Sequence, residues 1–203
     1  MARIDGGSLL LLFCALGASG AAWSGAGAFR VDPDLTSARF AVLQLGFSKQ
    51  QGSLGRTSGT IVLDAQQKVE SIDLEIETAS VDTGWSLRDA FLRSEVMFDA
   101  GRFPQMRFRS TGVRYEGARL AGVEGEVTLR GVTRPVQFDV TRFECASRPG
   151  DDRESCGADV SGHLSRGAFG MDFAYPLIGD LVELEFAVRA FRIRDTGEMK
   201  KTP

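Results

Sequence analysis

Histidine is almost missing from this chain: its 203 residues contain one, His163. A lone imidazole cannot build the His/Cys clusters that hold zinc. His163 lies in the strand-like run Val160–Ser165, where a surface or hydrogen-bonded strand position is the simpler role. Cysteine is scarce too, with Cys14, Cys145 and Cys156 only, and the absence of a Cys-x-x-Cys pair argues against dithiol redox chemistry. No Gly-x-Ser-x-Gly elbow, phosphate-cradling glycine loop or dinucleotide fingerprint occurs. Neither sign of charge dominates: 24 Lys and Arg are interspersed with 27 Asp and Glu, so no basic field exists to attract nucleic acid. Two Tyr and two Trp stand against 14 Phe, an aromatic set with few polar handles, suited to a dry interior. No catalytic set, metal or cofactor is expected.

The longest apolar run, Leu9–Leu16, is shorter than the ~20 residues needed to cross a bilayer. Arg3 precedes it, and small residues ending in Ala26-Gly27-Ala28 follow, the pattern of a cleaved export signal over residues 1–28. A retained N-terminal anchor is the competing reading, and bulky Phe13 argues against lipid attachment at Cys14. The mature chain would begin near Phe29 as an exported protein, with no integral membrane span. It would keep Cys145 and Cys156, which allow one intramolecular pairing in an oxidising compartment. The polar stretch between them, residues 146–155, reads as a loop joining two strands.

Apolar residues make up 43% and charged residues 25%, which fits one globular domain, and the pattern is that of strands. Val69–Glu77 alternates apolar and acidic residues, so Ile72, Leu74 and Ile76 face a core while Asp73, Glu75 and Glu77 face water. Similar runs occur at 126–129, 136–140 and 182–188, and further strands are expected near 58–64, 105–115 and 159–165. The run Arg39–Phe47 is apolar on both faces, which predicts an interior on one side and a covering element on the other. About eight strands at hairpin spacing imply an all-β domain, a closed antiparallel barrel or a sandwich that removes exposed edges. One segment departs from this pattern. Ser86-Leu87-Arg88-Asp89 has capping-box spacing and predicts a short helix over 86–97, placed to cover an open barrel end or to plug the core. Residues 194–203 form a polar tail.

Several stretches, taken in order, resemble the YceI-like polyisoprenoid-binding proteins of the bacterial periplasm. They include Phe29–Asp32, Phe40–Val42 with Leu45–Ser48, Gly59–Asp64, Ala79–Thr83, Arg88–Ser94, Phe103-Pro104 and Gly125–Val136. The resemblance runs over residues 29–193 and implies an eight-stranded, lipocalin-like antiparallel barrel with a short helix in one connection. It also implies an elongated apolar interior for an isoprenoid chain or quinone tail. Where the family usually carries a histidine before the Leu-Gly pair, this chain has Gln44.

A binding protein without enzymatic activity is therefore expected. Phe40, Val42, Ile72, Leu74, Ile76, Phe91, Phe98 and Phe108 are the candidate ligand-lining residues, with Gln44, Arg88 and Asp89 near a headgroup. The partner is a polyisoprenoid or other lipid, and a homodimer is left open. The alternative is a protein-interaction module with a filled barrel.

Overall fold

The structure is a computed structural model and describes residues 26–147 and 153–193. Most of the expected leader and the whole tail over 194–203 lie outside the described residues. Eleven strands follow in chain order: β1 (Gly27–Val31), β2 (Ser37–Gln44), β3 (Ser48–Leu54), β4 (Thr57–Leu63), β5 (Val69–Glu77) and β6 (Val81–Asp82). After helix α1 (Ser86–Arg93) come β7 (Gln105–Glu116), β8 (Arg119–Leu129), β9 (Val132–Ser147), β10 (Glu154–Ser165) and β11 (Ile178–Arg192).

Eight of these strands close on themselves in the order β1-β4-β5-β7-β8-β9-β10-β11, the last pairing back to β1 through Phe29↔Arg192 and Val31↔Ala190. Every pairing is antiparallel, and the result is the closed eight-stranded barrel expected from the sequence. β2 and β3 extend from the upper part of β11, and the two-residue β6 pairs with the end of β3.

The alternation in β5 decides which face is which. Ile72 and Leu74 point inward, while Asp73, Glu75 and Glu77 form outer-wall ion pairs with Arg109, Arg107 and Arg56 at 2.9, 3.0 and 2.8 Å. Exposed pairs of this kind add little stability, but they define a wall that faces water. On the inner face, two glycines let aromatic rings lie flat against the sheet. A Cβ at Gly125 would meet the Phe108 ring at 2.5 Å, and one at Gly162 would meet the Phe138 ring at 2.4 Å. The lower end is plugged by Phe29, Val31, Leu63, Val69, Leu120 and Val140, all nearly inaccessible.

Three local expectations need correction. The helix ends at Arg93, not 97, because Ser94 turns out of it with its amide bonded to the Phe91 carbonyl, and tight turns follow. The capping box does not form. The N-cap is Trp85, Ser86 is already helical, and the Asp89 carboxylate reaches back instead to Thr83, a stronger pair of donors in the preceding turn. Nor is the outer face of the 39–47 run covered beyond Ala41. Leu43, Leu45 and Phe47 are exposed, because α1 lies across the barrel's opening rather than against its side.

Cys145 and Cys156 are directly opposite in the β9–β10 ladder and form a disulfide. Closing a loop with a sequence separation of 11 restricts the unfolded chain. The Cys145→Ala/Cys156→Ala double variant should therefore lose about 2–4 kcal/mol in urea unfolding under non-reducing conditions. A loss near zero would mean that the hairpin's own ladder already supplies the constraint.

Candidate functional site: an apolar cavity with a polar mouth

The barrel is not filled by its side chains. It encloses a cavity of about 540 Å³ that opens at the α1 end. The interior strands supply Phe40 and Val42 from β2, Ile72 and Leu74 from β5, Phe108 from β7, and Phe138 and Phe186 from β9 and β11. Phe108, Phe138 and Phe186 stack edge to face in sequence, with centroids 5.5 and 5.7 Å apart. That arrangement favours rigid placement of large apolar surfaces. At the opening, Phe91 of α1 meets Phe173 at 4.8 Å, and Phe98 lines the same cavity.

Of the residues singled out in the sequence, Phe40, Val42, Gln44, Ile72, Leu74, Arg88, Phe91, Phe98 and Phe108 are brought together on this cavity. Two are not. Ile76 is buried in a cluster with Ala38, Leu54 and Val81 and does not reach the cavity. Asp89 is turned away from the cavity and anchors α1. Its Oδ1 accepts the Thr83 amide at 2.8 Å and the Thr83 hydroxyl at 2.6 Å.

Polar groups concentrate at the mouth. Arg88 donates through Nε to the Thr83 hydroxyl, through one terminal nitrogen to the Thr83 carbonyl, and through the other to Gln50 Oε1, at 2.8, 2.8 and 2.7 Å. Its guanidinium also lies 5.7 Å from the Trp85 ring. Gln44 and Gln50 line the same opening from β2 and β3. Deeper down, the lining is hydrocarbon. His163 is on the outer wall opposite Glu183 of β11. Among the described residues, no group of three His, Cys, Asp or Glu side chains is placed to hold a metal.

The Thr83 hydroxyl is the largest influence on the Asp89 carboxyl; burial opposes it, while the Thr83 amide, Arg93 and Arg88 reinforce it. The net effect holds this group below its ordinary value of 3.8. A carboxylate depressed in the folded state stabilises fully above its unfolded value, and the effect is lost as pH falls through the lowered one. Trp85 caps the helix that Asp89 anchors. In a Trp23→Phe chain, acid titration of Trp85 fluorescence should therefore show α1 releasing with a midpoint below 3.8. A midpoint at or above that value would show that Asp89 is not what holds the helix.

Sequence reading missed Gln50, Thr83, Trp85, Phe138, Phe186 and Phe173. Phe138 and Phe186 sat in recognised period-2 runs, so assigning the inner face of those runs would have found them. Gln50 is reached only through the β2–β3 register, which pairs it with Val42.

Residues 29–190 match the YceI-like domain family. A UPF0312 protein of Pseudomonas savastanoi pv. phaseolicola is 34% identical over 103 residues, covering 50% of this chain and 54% of the relative. The chain thus spans about half the length of that curated relative. BcnA of Burkholderia cenocepacia shares the fold with a TM-score of 0.65 at 21% identity, over 78% of this chain and 98% of that one. A polyisoprenoid binding domain from Saccharophagus degradans superimposes with a TM-score of 0.59 at 14% identity, over 82% and 99%. With the match covering residues 29–190, nearly all of the described residues, this chain belongs to the YceI-like domain family.

Proposed function

We propose that the protein binds one apolar, chain-like lipid inside the barrel, a polyisoprenoid, a quinone tail or a similar molecule, and serves as a periplasmic carrier or store. The observation that carries this reading is the cavity itself: an open space of about 540 Å³ with a predominantly hydrocarbon lining and Gln44, Gln50 and Arg88 at its entrance. Burial of a lipid chain there yields about 25 cal/mol for each Å² of apolar surface removed from water. No reaction is required of the protein. The polyisoprenoid-binding domain from Saccharophagus degradans, which shares the fold, supports the ligand class.

Gln44, Gln50 and Arg88 are placed to meet a headgroup at the mouth. Glutamine at 44 keeps hydrogen-bonding capacity without a titrating ring, so headgroup contact at this position is independent of pH through the neutral range. The leader over residues 1–28 and the disulfide favour an exported, oxidised location. The open interior disfavours the filled-barrel interaction module.

Native mass spectrometry of protein purified from a bacterial periplasm, followed by denaturation and lipid extraction, tests the proposal. One co-purified apolar species near stoichiometric occupancy is the expected result. An apo mass that remains unchanged after incubation with quinones and polyprenyl lipids would overturn it.

A further inference from the structure

We infer that the mouth of the barrel docks on the surface of a phospholipid bilayer, inserting an apolar collar so that the cavity opens directly into the lipid. The inference builds on the lipid-binding reading, but it rests on a different set of side chains. Leu45 and Phe47 at the β2–β3 turn, Trp85 and Leu87 at the start of α1, and Tyr175 and Leu177 in the 170–177 loop are each more than half exposed. They belong to one end of the molecule. The Leu45 amide donates to the Leu177 carbonyl at 2.6 Å, Gln44 pairs with Ile178, and Trp85, Leu87 and Phe173 border the cavity opening. The collar is thus continuous with the hydrocarbon interior, whereas the outer wall of β5 and β7 carries ion pairs.

Three further features point to lipid as the occupant. Trp85 is the one tryptophan among the described residues, and Tyr175 belongs to the loop whose Phe173 meets Phe91 of α1. Indole and phenol rings, apolar with one polar edge, are the side chains that settle at a membrane interface. Leu45 holds a left-handed backbone, φ 55°, next to Gly46 at φ 76°. Asn or Gly adopts that turn conformation with less strain, so a leucine there sacrifices local preference to put an apolar side chain at the tip. The third feature is how the charged groups at this end are used. Arg130 donates to the carbonyls of Val96, Glu95 and Gly170, and Arg166 donates to those of Gly179, Ile178 and Met171. Irregular loops entering a lipid interface need their carbonyls satisfied internally, and these two arginines do that for the loops beneath the collar. Lys49 pairs with Glu183, so the collar offers no free cationic cluster there, and docking should be driven by apolar insertion rather than by anionic headgroups.

The test uses the full chain carrying Trp23→Phe, Trp85→Phe and Phe47→Trp, which leaves one indole at the turn tip, outside the cavity lining. Added phosphatidylcholine vesicles should shift its emission to the blue, and vesicles with brominated acyl chains should quench it. Both effects should persist in about 1 M salt, where the Debye length is only ~3 Å. Adding Leu45→Asp and Leu177→Asp should abolish the quenching while leaving uptake of farnesol, a water-dispersible isoprenol, unchanged. Because the reporter sits on the collar, membrane attachment through residues 1–28 alone would not produce the signal. Emission that stays unshifted and unquenched on vesicles, with farnesol still bound, would overturn docking and leave the cavity reading intact. Farnesol binding lost with vesicle quenching retained would do the reverse. A blue shift that appears without vesicles and grows with protein concentration would assign the collar to a second copy of this chain and also overturn the inference.

Discussion

Phe29→Ala should destabilise the protein by about 3–5 kcal/mol, the range for removing a buried phenylalanine, measured as a fall in the urea unfolding midpoint. Whole domains are stable by only about 5–15 kcal/mol, so this one change would remove a large share of the total. Phe29 is 1% exposed and sits on β1, the strand that joins β4 to β11 and closes the ring. Its ring packs with Val31, Leu63 and Val69 in the floor of the barrel, and the Arg192 guanidinium lies 5.2 Å above it. Loss of the ring therefore does more than leave a cavity: it loosens the seam, and an opened seam exposes two unpaired strand edges. The neighbouring exposed Arg30 provides the control, since Arg30→Ala should change stability by no more than about 0.5 kcal/mol. A Phe29→Ala cost below about 1 kcal/mol would mean that the barrel closes without β1.

The seam also shows where sequence reasoning stops. The alternation in Val69–Glu77 is a property of nine consecutive residues, and it sorted Ile72 and Leu74 from Asp73 and Glu75 correctly. Ring closure instead depends on Phe29 meeting Arg192 across nearly the whole chain, which no local period encodes. The resemblance supplied that part. Local patterns misled where a tertiary partner was stronger. Ser86 to Asp89 has capping-box spacing, but Thr83 offers Asp89 both an amide and a hydroxyl from the turn before the helix. Ile76 follows the same alternation as Leu74, yet β6 is only two residues long and invisible as a pattern, and its Val81 joins Ile76 in a separate buried cluster. Apolar residues on the outer face of Arg39–Phe47 suggested a covering element. Their exposure in the structure shows that hydrophobicity can mark a surface for a partner as well as a core. The mouth's polar set was half legible: Gln44 and Arg88 stood out, but Gln50 needs the β2–β3 register to place it beside them.

Ala158→Phe should weaken binding of long-chain isoprenoids on the order of a hundredfold while leaving short ones nearly unaffected. Ala158 lines the lower cavity from β10, paired with Phe143 of β9 and Val188 of β11, and Ile61, Ile72 and Val123 border the same region. A phenyl ring there occupies the far end of the space and shortens it without touching the mouth. Each CH₂ kept in water instead of the barrel costs about 0.8 kcal/mol, so excluding roughly four carbons costs about 3 kcal/mol. A ligand short enough to end above the new ring loses nothing. The fold should tolerate the change, because Ala158 borders the cavity and the ring enters its free volume. Titration calorimetry with farnesol and with a longer polyprenol would separate the cases. Selective loss of the longer chain would show that ligands lie tail-down along the barrel axis. Equal weakening of both would mean that even short chains reach the floor, and no weakening of either would mean that the ligand never enters the lower cavity.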